Sequence, residues 1–159
     1  MAGDVLTRAD LLPETFGAER CFARSYDTAH LKKHPDQRVT DMALYLDYRK
    51  FEGFDDPIFG FSVAVKRRGD PRTGTNGGIC NDVENGVTCQ IDCDGGGILL
   101  RKSRTPGAVL VDMTTIWGLA LMSCGEDGAE MEPLTAGKDD KVFRLDAAEL
   151  SACDAARGD

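Results

Sequence analysis

Several residues and patterns that carry common kinds of chemistry are rare or missing in this chain of 159 residues. It has two histidines and one tryptophan, and none of its cysteines form the Cys-x-x-Cys pair typical of a thiolate metal site. No apolar run approaches the ~18 residues that a membrane-spanning helix needs, so we expect no membrane span. The opening Met-Ala-Gly-Asp has neither the basic start nor the apolar stretch of a signal peptide.

Motifs of the commonest enzyme classes are also missing. Ser62 lacks the second glycine of a nucleophile elbow, and the glycine-rich run 73–78 lacks the Lys-Ser/Thr of a phosphate loop. A catalytic triad would need an arbitrary choice between His30 and His34. We therefore expect no catalytic residues and no cofactor, and we favour a binding domain over an enzyme.

Cysteines are the most informative residues that are present, namely Cys21, Cys80, Cys89, Cys93, Cys124 and Cys153. An even number without metal-ligand spacing predicts disulfides, and disulfides predict an oxidising compartment. We therefore expect a periplasmic or secreted protein that has already lost its leader; buried free thiols in a cytosolic protein are the alternative. Six cysteines allow fifteen sets of pairs, and the sequence does not choose among them. One set consistent with the predicted strands is Cys80–Cys89, Cys93–Cys124 at matching strand ends, and Cys21–Cys153 near the two ends of the domain.

The pair in the middle of the chain depends on the turn that precedes Cys89. Cys89 and Cys93 lie about 13 Å apart along an extended strand, which is too far for a disulfide. A two-residue turn at Glu84–Asn85 would place Cys80 directly opposite Cys89. A turn at Asn85–Gly86 is chemically better and would shift the pairing by two residues.

Apolar residues alternate with period two along much of the chain, which predicts strands with one buried face. The clearest runs cover residues 42–48, 59–65 and 87–93. Breaks rich in Gly and Asn separate about seven runs, and this spacing is typical of all-β domains. We predict a single antiparallel β-barrel or β-sandwich over residues 21–153, stapled by disulfides and with short peripheral helices. Residues 1–20 would be a lead-in segment and residues 154–159 a tail.

These runs also define the expected core, whose inward face would hold Leu44, Leu46, Phe61, Val63 and Ile91. Trp117 is expected in the core beside its apolar neighbours. Residues 69–78 are expected to form the longest loop, and loops of that length are often mobile or functional. Short helices are expected after Asp27, ending before Pro35, and after Asp146.

Charge is unevenly distributed along the chain. The net charge is −8, and residues 105–159 carry −7 of it. Such a surface repels phosphate backbones, so nucleic acid is not an expected partner. The same surface would attract a cationic protein, and the candidate partner-binding residues are Glu126, Asp127, Glu130 and Glu132.

Two basic runs interrupt this acidic background, each after a predicted strand. They are Lys66, Arg67 and Arg68 with the nearby Arg72, and Arg101, Lys102 and Arg104. If the two strand ends lie side by side, the runs would form one site for a small anion. If they do not, each run is a solvated strand end.

Metal ligation is the weakest of the candidate activities. His30 and His34 would share one face of a helix, but Pro35 disfavours helical geometry at His34. Asp92 and Asp94 resemble the start of a calcium loop, without the bidentate Glu at its far end. We expect no bound metal.

These observations favour an exported, non-enzymatic domain that binds either a protein, such as a cationic enzyme, or a small ligand. A hydrolase or metal-dependent enzyme built on His30 and His34 is one alternative. A structural protein of the cell envelope is another.

Overall fold

The computed structural model describes residues 5–91, 95–123 and 130–158, and strands make up most of this part of the chain. Ten strands are present there: β1 Glu19–Ser25, β2 Val39–Arg49, β3 Ile58–Arg67, β4 Asp70–Val83, β5 Gly86–Gln90, β6 Gly97–Lys102, β7 Ala108–Asp112, β8 Leu119–Ser123, β9 Glu130–Leu134 and β10 Val142–Ala148. The helices are short: α1 Arg8–Leu11, α2 Thr28–Lys33, a 3₁₀ helix Leu150–Cys153 and α3 Asp154–Arg157. None of these helices is long and apolar enough to cross a membrane.

Eight of the strands form a closed antiparallel barrel. Each strand from β1 to β6 pairs with the next one along the chain, and β10 pairs with both β7 and β1. The hairpin of β8 and β9 lies outside this circuit, where β8 pairs with the first half of β4. Of the two predicted architectures, the structure is therefore the barrel and not the sandwich.

Apolar side chains fill the interior of the barrel. The largest fully buried ones are Phe22, Leu44, Leu46, Phe59, Phe61, Ile98, Leu100, Met113, Leu119, Leu121, Leu134 and Phe143. The expected core is confirmed: four of its five members are buried, and Ile91 is half-buried against the same cluster. An eight-stranded barrel is just wide enough to be filled by side chains or to hold one small ligand, and here a contiguous cluster of buried apolar side chains occupies it.

Both ends of the barrel are covered by other parts of the chain. Around α1, Leu6, Leu11 and Leu12 join the core, and Arg8 binds Asp82 near the end of β4. The β8–β9 hairpin covers the other end, where its apolar side chains enter the same core. An isolated two-stranded hairpin such as β8–β9 cannot bury its apolar face, and packing against the barrel buries it here.

Two of the predicted disulfides are present. Cys80 and Cys89 face each other across β4 and β5, because a two-residue turn at Glu84–Asn85 joins these strands. Cys21 on β1 is bonded to Cys153, and their Cα atoms are 6.0 Å apart. Cys93 and Cys124 lie outside the described residues, so their pairing stays a prediction.

A second, smaller apolar cluster lies on the outside of the barrel. The 3₁₀ helix and α3 pack there against small outward-facing residues of β1 to β3, with Cys153 and Ala156 buried against Cys21, Tyr45 and Ala64. Small side chains on these strands let the helical segment approach the sheet closely, and the disulfide holds it there.

Three expectations about local structure are wrong. Residues 69–78 are mostly strand, because β4 begins at Asp70. The glycines of this segment allow close packing, since a Cβ atom at Gly77 would collide with the backbone of Phe61. Trp117 is 54% exposed rather than in the core, because it lies in the loop before β8. The helical segment predicted to start after Asp146 begins only at Leu150, because pairing with β1 extends β10 to Ala148.

The barrel core can be tested with two phenylalanines of opposite exposure. Phe61 is fully buried, so we expect Phe61→Ala to lower the free energy of unfolding by about 3–5 kcal/mol. Phe54 is 62% exposed, and Phe54→Ala should change it by less than about 0.5 kcal/mol. Urea unfolding followed by circular dichroism measures both. Equal effects of the two substitutions would contradict this core.

The disulfide framework makes a prediction about mass. If all six cysteines are oxidised, the intact native protein is lighter than the fully reduced one by one hydrogen per cysteine. Mass spectrometry before and after reduction measures this difference, and peptide mapping of the unreduced protein identifies the third bond. Free thiols at Cys93 and Cys124 in freshly purified protein would contradict the prediction for that pair.

Candidate functional site

Four arginines surround a hollow at the end of the barrel where β3 turns into β4. We call it the arginine hollow; it has a volume of about 170 Å³ and is lined by Arg38, Arg67, Arg68, Asp70, Arg72 and Glu132. Arg67 pairs with Asp70 across the tight β3–β4 turn, in which Gly69 has a φ of +71°. Arg38 joins the others because the next residue, Val39, pairs with Arg67.

Arg68 is held in place by main-chain carbonyl groups. Its Nη2 atom donates to the carbonyl oxygens of Leu31 at 2.7 Å and His34 at 2.9 Å, and its Nε atom donates to that of Gln37. Leu31 and His34 lie at the C-terminus of α2, where a positive charge is also favoured by the helix dipole, and the carbonyl of His34 accepts a second hydrogen bond from the N–H of Gln37. The guanidinium is thereby oriented without a carboxylate partner from the part of the chain that the structure describes.

Arg67 makes a similar but weaker contact with β9. Its Nη1 atom lies 3.4 Å from the carbonyl oxygen of Pro133. Among the described residues, neither Arg67 nor Arg68 forms an ion pair. A carbonyl group accepts a hydrogen bond without supplying a net charge, so these contacts do not neutralise the two guanidiniums.

The other two arginines of the hollow are paired with acids. Arg72 binds Asp70 through both Nε and Nη2, and these hydrogen bonds lower the pKa of Asp70 to about 2. Arg38 lies 3.5 Å from a carboxylate oxygen of Asp140 and 3.9 Å from one of Glu132. Three carboxylates thus face four arginines, so the hollow keeps a small net positive charge.

Asp140 holds this end of the barrel together. Its carboxylate is fully buried and accepts hydrogen bonds from the main-chain N–H groups of Arg38 at 2.9 Å and Val39 at 3.3 Å. The preceding Asp139 accepts one from the N–H of Asp36. These bonds fasten the loop between β9 and β10 to the start of β2, and they position Arg38.

The second basic run lies far from this hollow. Arg67 is next to the first residue of β4, whereas Lys102 lies beside the Glu84–Asn85 turn that follows the last one. The fourteen residues of β4 separate the two points by about 40 Å. The condition for one shared anion site is therefore not met. Arg101 instead donates to the buried Asp112 at 2.9 Å.

The first basic run is itself divided between two sites. Lys66 points to the outside of the barrel and lines a groove of about 400 Å³ between Ala43, Ala64 and the C-terminal helical segment. Arg67 and Arg68 line the arginine hollow with Arg72, as the sequence suggested. Arg38 was not predicted, because it lies between Gln37 and Val39 and belongs to no basic run or motif.

The two histidines take part in the packing of α2. The side-chain amide of Gln37 donates to the carbonyl of Val39, so its Oε1 atom accepts from Nε2 of His30 at 2.9 Å. The His34 ring stacks on His30 with centroids 4.4 Å apart, and α2 ends before it, as Pro35 predicted. No group of three metal-ligating side chains is present among the described residues.

The acidic candidates are only partly visible in the structure. Glu126, Asp127, Asp92 and Asp94 lie outside the described residues. Glu130 and Glu132 are exposed on β9, and Glu132 lines the arginine hollow opposite Arg38. The predicted contact of this surface with a cationic protein stays a prediction.

Comparisons with known proteins give no further direction. No protein-family model, curated protein or solved structure matches this chain. The candidate site therefore stands on its own geometry.

The role of Asp140 can be tested against its neighbour. Asp140→Ala leaves two buried N–H groups without an acceptor, so we expect the free energy of unfolding to fall by about 2–4 kcal/mol. Asp139→Ala removes one exposed hydrogen bond and should cost less than about 1 kcal/mol. Chemical unfolding of both variants measures the difference. A loss at Asp139 as large as that at Asp140 would contradict the assignment.

Proposed function

We propose that this domain is a non-enzymatic binding protein whose ligand carries a small, doubly charged oxyanion such as phosphate or sulfate. The arginine hollow would hold this group. The observation that carries the proposal is that Arg67 and Arg68 are oriented by main-chain carbonyls and have no carboxylate partner in the described residues. The four arginines at the hollow outnumber the three carboxylates beside them, Asp70, Glu132 and Asp140, so the site keeps a net positive charge that favours an anion.

The chemistry of the guanidinium group supports an oxyanion as the ligand. Its planar set of N–H donors matches the oxygens of phosphate and sulfate, and charge-assisted hydrogen bonds are about twice as strong as neutral ones. Arg68 already has its Nε and Nη2 donors bonded, so little side-chain freedom is left to lose on binding. The volume of about 170 Å³ suits one such group, with the rest of the ligand outside.

A small anion is favoured over a cationic protein partner because two acids of the acidic segment 105–159, Asp112 and Asp140, already bind arginines. Asp112 is bonded to Arg101, and hydrogen bonds from Thr114 and the charge of Arg101 outweigh burial and lower the pKa of Asp112. Asp140 is buried beside Arg38. These carboxylates do not form a continuous acidic face.

We infer that the protein is exported, to the periplasm or outside the cell. Two disulfides support this, because such bonds persist in oxidising compartments and are rare in the cytosol. With a net charge of −8, binding to nucleic acid stays unexpected.

Binding at the hollow can be measured by titration calorimetry with inorganic phosphate and sulfate at low ionic strength. We expect Arg67→Gln to weaken binding by about tenfold to a hundredfold, because it removes a charge-assisted contact of about 1.5–3 kcal/mol. Arg67 is preferred to Arg68, whose replacement would also uncap α2.

Arg104→Gln is the matched control, since it removes the same charge from an exposed loop at the other end of the barrel. It should change the affinity by less than about twofold. The proposal is wrong if neither anion binds to the wild-type domain or to any variant. If both substitutions weaken binding equally, the anion does not bind in the arginine hollow.

A further inference from the structure

Glu132 is the one carboxylate lining the arginine hollow that is not locked in place, among the residues that the structure describes. It lies on β9, its side chain is 78% exposed, and its nearest oxygen is 3.9 Å from Nη1 of Arg38. Asp70, in contrast, is bonded to Arg72 through both of its oxygens, at 3.0 and 2.9 Å. A contact near 4 Å between exposed groups is weak and easily broken.

We propose that Glu132 acts as an internal competitor for the anion and sets the affinity of the arginine hollow. This inference rests on the proposed function. Its carboxylate carries the same kind of charge as the ligand and lines the same small volume. An entering anion either stays beside this carboxylate, at a repulsive cost, or displaces it from Arg38. In both cases Glu132 lowers the affinity and raises the ligand concentration at which the site fills.

The position of Glu132 in the fold explains why the competition is local. Arg67 donates to the carbonyl of Pro133, and Arg38 donates to that of Thr135, so β9 is fastened to the rim of the hollow next to Glu132. Main-chain contacts therefore keep the base of this side chain near the arginines, while its carboxylate remains free to swing into solvent. Glu132 is thus held near the arginines by the main chain of β9, while its side chain is exposed.

Glu130 provides a matched control on the same strand. It is exposed and carries the same charge two residues away, but it does not line the hollow. Replacing either glutamate by glutamine changes the net charge equally and preserves the shape of the side chain. A general effect of charge on anion binding will therefore be the same in both variants, whereas competition inside the hollow will appear only at Glu132.

The test is titration of wild type, Glu132→Gln, Glu130→Gln and Arg67→Gln with inorganic phosphate at low ionic strength. We expect Glu132→Gln to bind about threefold to tenfold more tightly than wild type, and Glu130→Gln to stay within about twofold. Glu132→Ala should also bind more tightly than wild type, which excludes a new hydrogen bond from the glutamine amide as the cause. Thermal unfolding checks that each variant is folded.

Each outcome separates this inference from the proposed function. If Arg67→Gln weakens phosphate binding but Glu132→Gln and Glu130→Gln bind phosphate with equal affinity, Glu132 is not a competitor and the proposed binding function is still supported. If phosphate binds only after Glu132 is replaced, and again depends on Arg67, both are supported. If phosphate binds to no variant, both are overturned.

Discussion

Pairing of β1 with β10 closes the barrel, and the rest of the structure depends on this contact between the two ends of the chain. Cys21 lies on this seam opposite Ala148, and its disulfide to Cys153 crosses to the helical segment that follows β10. Closure removes the free edges of eight strands and encloses one apolar core. It also brings the start of β2, the β3–β4 turn and the β9–β10 loop to the same end, where the arginine hollow forms.

The location of the hollow explains how an acidic protein can carry a positive site. Many of its carboxylates are bound in fixed positions: Asp140 to main-chain N–H groups, Asp112 to Thr114 and Arg101. Several arginines nearby satisfy carbonyl groups at the ends of α2 and β9 instead of carboxylates. The sign of the local field therefore follows from which backbone groups need partners, and not from the net charge.

The strand pattern and the core were predictable from the sequence because each depends on short-range rules, whereas the Cys21–Cys153 bond joins residues 132 positions apart and follows no local rule. Period-two alternation places Leu44 and Phe61 on buried faces, and turn length decides whether Cys80 meets Cys89. Errors arose where a tertiary contact overrides local preference. The glycines of residues 69–78 indicate a loop by composition, but in β4 they allow close approach to a neighbouring backbone. Trp117 lies among apolar neighbours in sequence yet faces outward from a loop.

The site shows the same division between local and tertiary causes. By itself, the sequence determined an all-β, disulfide-bonded domain and the basic character of Arg67, Arg68 and Arg72, because alternation, cysteine count and charge are properties of neighbouring residues. Only the tertiary structure decided that the interior is filled, that the two basic runs are separated by the length of β4, and that Arg38, Asp140 and Glu132 meet at one hollow. Asp140 binds Arg38 across 102 positions of sequence, and no local pattern encodes a contact that exists only once the barrel has closed.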